Sequence, residues 1–222
     1  MKYWVDAAID SGADTLFWDE PHLYIPDWDD LHFASDDAFA CFCPRCRDSF
    51  QTRFGQPMPD ELTSEMRLFR EETMINFLSE MIGYAKNKGA KNAITLLPVD
   101  DESNESIPWN QVADIRGLDI FGTDPYWFLH GKDCEDYVAA QMKRTMDICR
   151  PRGLTPHFWA QGFGVPSGRE NELDTGFTLA VERGAKSIAV WGMHGNAAYD
   201  GASENPEAVW AVVGRTFGRL RR

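Results

Sequence analysis

Short apolar runs alternate along this chain with longer segments whose apolar residues recur every three to four positions. The runs are Asp14-Thr-Leu-Phe-Trp18, Asn92-Ala-Ile-Thr-Leu-Leu97, Leu118-Asp-Ile-Phe-Gly122, Thr155-Pro-His-Phe-Trp-Ala160 and Lys186-Ser-Ile-Ala-Val-Trp191. Apolar runs of this length fit strands buried on both faces, as in a parallel sheet. The intervening segments read as helices over residues 1–11, 47–54, 60–88, 134–150, 169–183 and 205–220, with a short amphipathic stretch at 109–115. In residues 60–88 the spacing is clearest: Leu62, Met66, Phe69, Ile75, Leu78, Met81 and Ile82 share one stripe, and Gly89 closes the helix. Asn205-Pro206 is a capping and first-turn pair for the last helix.

Strands alternating with helices imply an α/β fold with a parallel sheet and right-handed crossovers. No glycine-rich phosphate loop follows the first strand, which argues against a nucleotide-binding doubly wound sheet. The expectation is therefore a (β/α) TIM-type barrel. Such barrels have eight strands over typically about 250 residues, and five strands are visible here. The chain also opens inside a helix. Both features predict an N-terminally truncated barrel, strands 4–8 of eight, forming one partial domain over residues 1–222, with a small open sheet in a helix-first gene product as the competing explanation. An open sheet would leave two edges and an apolar face, to be covered by a missing segment or by a second copy in a homo-oligomer.

Composition narrows the partners. The net charge of −13 opposes binding to nucleic acid or to an anionic membrane. No apolar stretch is long enough to span a bilayer, and the N-terminus lacks the apolar core of a signal peptide, so a cytoplasmic location is the default expectation. Eight Trp and six Tyr are many for 222 residues, and several fall at strand ends. Aromatic faces there suit sugars or other flat polar ligands. Five Cys, three of them in Cys41-Phe-Cys-Pro-Arg-Cys46, do not make a disulfide framework. Three thiols so close suit a tetrahedral Zn²⁺ lacking one ligand, with His22 or His32 as internal candidates for the fourth. Three reduced cysteines packing at a helix start are the plainer alternative. No organic cofactor is indicated.

In a (β/α) barrel the active site is built from the loops after the strands. Those ends supply Asp19, Glu20 and His22, then Asp100, then Asp124, Tyr126 and Trp127, then Gln161, then Trp191 and His194. Carboxylates, amides and aromatics converging on one rim describe a carbohydrate site. Glu20 is the leading catalytic candidate. It follows a buried strand, Pro21 fixes the chain beyond it, and apolar neighbours such as Trp18 would raise its pKa towards that of a general acid. Asp124 holds the same relation to its own strand. A carboxyl separation of about 6.5–9.5 Å from Glu20 would suit an inverting pair, and about 5–5.5 Å a retaining one.

A strand ending in an acidic residue, then C-[FY]-C-P-x-C-x-x-x-F and a short helix ending in Phe-Gly, resembles the catalytic barrel of family-42 β-galactosidases, within the clan A glycoside hydrolases. Asp119-Ile-Phe-Gly-Thr-Asp-Pro-Tyr126 is similar to that family's D-x-x-x-x-D-x-Y after strand 6. The resemblance implies a general acid/base at Glu20 and Zn²⁺ on Cys41, Cys43 and Cys46, with a fourth Cys from an earlier loop. The chain departs from the pattern in two places. Asp19 stands where Asn usually precedes the acid/base. Gln161 stands where the strand-7 nucleophile is expected, and Gln cannot form a covalent glycosyl-enzyme.

Three readings follow. The first is a glycoside hydrolase-like protein with Glu20 as acid and Asp124 or Asp100 as base. The second is a non-catalytic carbohydrate-binding relative, motivated by Gln161. The third is a metal-dependent hydrolase using His22, Asp124, His157 and His194.

Overall fold

The computed structural model describes residues 1–21, 40–98, 108–192 and 201–221. Helix α1 (Lys2–Asp10) precedes β1 (Thr15–Asp19); α2 (Pro44–Phe54) and α3 (Ser64–Asn87) lead to β2 (Lys91–Leu96). Then come α4 (Trp109–Ala113), β3 (Ile120–Thr123), α5 (Cys134–Arg152), β4 (Thr155–Gln161), α6 (Glu172–Glu182), β5 (Ser187–Trp191) and α7 (Pro206–Leu220). All five predicted strands form. They pair in parallel in the order β1-β2-β3-β4-β5, a half-barrel with its helices on one face.

Element boundaries shift where local chemistry outranks periodicity. Helix α3 starts at Ser64 rather than residue 60 because the Thr63 hydroxyl accepts from Met66 N at 3.3 Å and caps the first turn. Helix α2 starts at Pro44, so Cys43 is its N-cap and Cys46 lies inside it. Strand β3 begins two residues late. The side chain of Asp119 is taken up before the ladder starts, accepting from Asn92 N (2.9 Å) and Lys86 Nζ (2.6 Å).

The sheet has two unlike faces. Leu16, Trp18, Ile94, Leu96 and Phe121 point to the convex side and pack under α1, α3, α4 and α5. Phe158 and Ala160 do the same with α5, α6 and α7. Alternation therefore sends Phe17, Asp19, Thr95, Gly122, His157, Trp159 and Gln161 to the concave side. At Gly122 the strands approach so closely that a Cβ would lie 2.3 Å from the His157 carbonyl oxygen, so no larger residue fits without moving the backbone.

Candidate active site

Two strand ends bring the leading acids together. Glu20 N still donates to Thr95 O (3.0 Å), extending the β1–β2 ladder by one residue. There the backbone turns: Glu20 has φ +36°, the one left-handed non-glycine among the described residues. Such strain costs of order 1–3 kcal/mol and persists only where surroundings impose it. The turn carries Glu20 to Asp124, which follows β3 on the concave side, and the two side chains are within hydrogen-bonding reach.

Burial and charge shift every group here in one direction. Asp124 is 1% exposed. Its pKa stands well above the usual carboxylate range because it is buried and because the Glu20 carboxyl lies against it. Burial raises Glu20 too; the hydrogen bond with Asp124 pulls the other way and the Asp19 charge adds to the rise, which wins. Asp19 is raised by burial of its carboxyl. Two abutting buried carboxyls cannot both ionise cheaply. Tyr126 reaches Asp124 as well, and its phenol is held protonated by burial and by the neighbouring carboxylates. Trp18 plays no part in this. It lies on the opposite face, its Nε1–H donating to Asn92 Oδ1 at 3.0 Å, so the expectation that Trp18 raises Glu20 is corrected: burial and the Asp19 charge do so.

The remaining rim residues divide. Trp191 is 48% exposed and stands 6.5 Å from Trp159, ring centre to ring centre. Trp159 in turn touches Phe17 (5.2 Å) and His157 (5.6 Å), making a row of rings along the concave face. Tyr126 meets Phe163 edge to face at 5.3 Å. Gln161 spends its amide on the backbone: Nε2–H donates to Phe163 O (2.8 Å) and Oε1 accepts from Leu129 N (3.0 Å). It braces two connections. Trp127 turns away from the rim into the helix layer, with no exposed surface, beside Gly176. His22, His32, Asp100 and His194 lie outside the described residues.

His157 is buried and neutral, its pKa lowered to about 4 by burial, with Nδ1 2.7 Å from Ser187 Oγ. Among the described residues His157 and Asp124 belong to no group of ligands able to hold a metal; Cys41, Cys43 and Cys46 do, with their sulfurs all within 4.8 Å of one another. Sulfurs on one tetrahedral Zn²⁺ would sit about 3.8 Å apart at Zn–S of about 2.3 Å, so the trio fits such an ion. Backbone N–H groups at the start of α2 lower the Cys43 thiol, while burial pushes Cys46 up to about 12. All five cysteines are free thiols.

Sequence reasoning missed Phe17 and Trp159 as site neighbours. The signal available was the two-residue repeat: Phe17 with Asp19, and His157 with Trp159 and Gln161.

No family model matches the chain, and no curated protein sequence does. Solved structures share its fold. Bee venom hyaluronidase superposes with a TM-score of 0.54 at 14% identity, covering 89% of this chain and 71% of its own. The endo-β-1,4-mannanase of Thermotoga petrophila gives 0.50 at 13% identity, covering 96% of this chain and 59% of its own. The chain thus spans about three-fifths of the mannanase. The half-barrel is a fold shared with glycoside hydrolases. No helix among the described residues is long and apolar enough to cross a membrane.

Proposed function

We propose that this chain is a glycoside hydrolase-like barrel protein that cleaves glycosidic bonds with Glu20 as the proton donor. The observation that carries the reading is the buried Glu20–Asp124 pair at the C-terminal rim of a parallel sheet. Burial and the abutting carboxyl favour the protonated form of the pair, and Glu20, the less buried partner, delivers the proton to the leaving oxygen. The anomeric C–O bond breaks, water adds to the anomeric carbon, and its spare proton returns through solvent to the pair. Trp191 and Trp159 offer rings for the sugar. The resemblance to family-42 β-galactosidases supports the role of Glu20 and suggests a structural Zn²⁺ on Cys41, Cys43 and Cys46. Metal analysis of the purified chain and of a triple Cys→Ser variant tests that part: about one zinc per chain, lost in the variant.

A screen of nitrophenyl glycosides against wild type and Glu20→Gln tests the catalytic claim. Turnover should fall by at least about 10²-fold in the variant, the usual worth of a general acid; turnover unaffected by the change would remove the claim. One observation favours a second reading, a carbohydrate-binding relative without catalysis. The strand-end position expected to hold a nucleophile is Gln161, already bound to backbone at both ends of its amide. Sugar-dependent thermal shifts with no product in any assay would favour it.

A further inference from the structure

A retaining glycosidase needs a nucleophile as well as an acid, and among the described residues none stands in the expected place. Gln161 ends β4, with both ends of its amide bound to backbone. The rim carboxyls among the described residues are Asp19, Glu20, Asp124, Asp133, Glu170 and Glu204. The last three are tied into turns of the chain. Asp133 accepts from Asp136 N (3.0 Å), Glu170 from Gly168 N (2.9 Å) and Glu204 from Ser167 N (3.0 Å). Asp19, Glu20 and Asp124 remain, and they form one cluster: Glu20 reaches Asp124, and the Asp19 charge bears on both. The acid and nucleophile of a retaining pair flank the scissile bond. A single cluster supplies the acid side alone.

That cluster also has bonding capacity to offer. Asp124 is 1% exposed, and its Oδ1 has no partner among the described residues. A buried acceptor of this kind calls for a donor. Tyr126 reaches Asp124 with its phenol and sets its ring edge to face against Phe163 at 5.3 Å, so an apolar wall lies next to the acceptor. Thr95, whose carbonyl takes the Glu20 N–H, keeps its Oγ1 without a partner among the described residues on the same concave face. A ligand group with an N–H donor and a methyl beyond it matches Asp124 and Tyr126 together. A sugar hydroxyl matches only the first.

We propose that the substrate brings its own nucleophile: the site takes β-linked 2-acetamido sugars, whose amide carbonyl oxygen attacks the anomeric carbon while Glu20 protonates the leaving oxygen. This rests on the glycoside reading above. In the reactive form the proton is on Glu20 and Asp124 is the carboxylate. The acetamido N–H donates to Asp124 Oδ1, which orients the carbonyl and answers the positive charge that builds on the amide. The bond from the anomeric carbon to the leaving oxygen breaks as the bond to the carbonyl oxygen forms, giving a cyclic oxazolinium ion. Water then adds to the anomeric carbon, its proton passes to the Glu20 carboxylate, and the amide re-forms. Configuration is retained without a covalent enzyme intermediate, so Gln161 is no obstacle.

Turnover of matched nitrophenyl β-glycosides by the whole chain tests this: N-acetylglucosamine, N-acetylgalactosamine, glucose and galactose compounds, as single sugars and as β-1,4-linked di- and trisaccharides. The acetamido compounds should turn over at least about 10³-fold faster, the scale on which a positioned internal nucleophile outruns water. Proton NMR should show the β-anomer as the first product. Replacing acetyl by trifluoroacetyl, a poorer nucleophile, should lower kcat at least about tenfold with little change in KM, because the lost interaction belongs to the transition state. Asp124→Asn should lower kcat on the acetamido compounds by about 10²-fold or more. Glucose or galactose compounds turned over as fast as their acetamido counterparts, an inverted product, or a rate indifferent to fluorine or to Asp124→Asn, each overturns substrate assistance and leaves the glycoside reading standing. No turnover of any compound overturns both.

Discussion

The two faces of one sheet follow opposite rules. On the convex face every described polar group of the strands is answered. Asn92 has no exposed surface, yet its Oδ1 accepts from Trp18 and its Nδ2 donates to Ile82 O and Gly117 O, both at 3.2 Å. The Thr123 hydroxyl donates to Leu96 O at 2.7 Å. On the concave face Thr95, Asp124, His157 and Trp159 each keep a buried atom with no partner among the described residues, and Glu20 is strained. The two faces thus differ in how completely the described residues answer the buried polar groups of the sheet.

The comparison can be broken by mutation, and the convex face should show the larger effects. Phe158→Ala removes a fully buried ring from the α5–α6–α7 layer and should cost about 3–5 kcal/mol. Asn92→Ala strands Trp18 Nε1 and two carbonyls and should cost about 2–3 kcal/mol. Urea unfolding would measure both. Equal costs for substitutions of exposed concave residues such as Trp191 would erase the distinction.

On the concave side the sign should reverse. Asp124 has a folded pKa above its unfolded one, so the folded state holds the extra proton between those values, and stability falls as pH rises through that window. Asp124→Asn removes this penalty. Tm should rise by a few degrees above neutral pH, a gain of about 1 kcal/mol on a chain of this size, and the gain should vanish by about pH 4. A variant less stable than wild type at every pH would contradict the reading.

At neutral pH the smallest effect belongs to His157. Its pKa is about 4 in the fold against 6.5 ordinarily, so the unfolded chain binds more protons between those values and stability falls as pH drops through them. His157→Gln should flatten the acid limb of the Tm profile between pH 6.5 and about 4 and change little above it. An unchanged acid limb would mean that the ring is not held neutral.

Much of this architecture was legible along the chain. Five apolar runs became five parallel strands; burial on both faces held for the middle strands, whereas β1 alternates buried and exposed and β5 is only partly buried, because the concave face beside them is open. The cysteine trio gathered because its spacing straddles a helix start, with Cys43 as N-cap and Cys46 one turn in. What depends on register between strands was not legible. The row of rings from Phe17 through Trp159 to Trp191 forms only once β1, β4 and β5 share a concave face. Trp127 and Gln161 stand at strand ends, where rim residues belong, but turn to packing and to bracing instead. Glu20 was legible as an acid after a strand. Its left-handed turn towards Asp124 was not, since nothing in Asp19-Glu20-Pro21 favours a positive φ.

The contact between Glu20 and Asp124 is the claim on which the rest stands, and ¹³C-detected titration of the Asp124 carboxyl tests it most directly. Asp124 should titrate well above 3.8, and Glu20→Gln should bring its midpoint down, because the Glu20 carboxyl is among the causes that raise it. An Asp124 that titrates at the ordinary carboxylate value, or one whose midpoint ignores Glu20→Gln, would contradict the account.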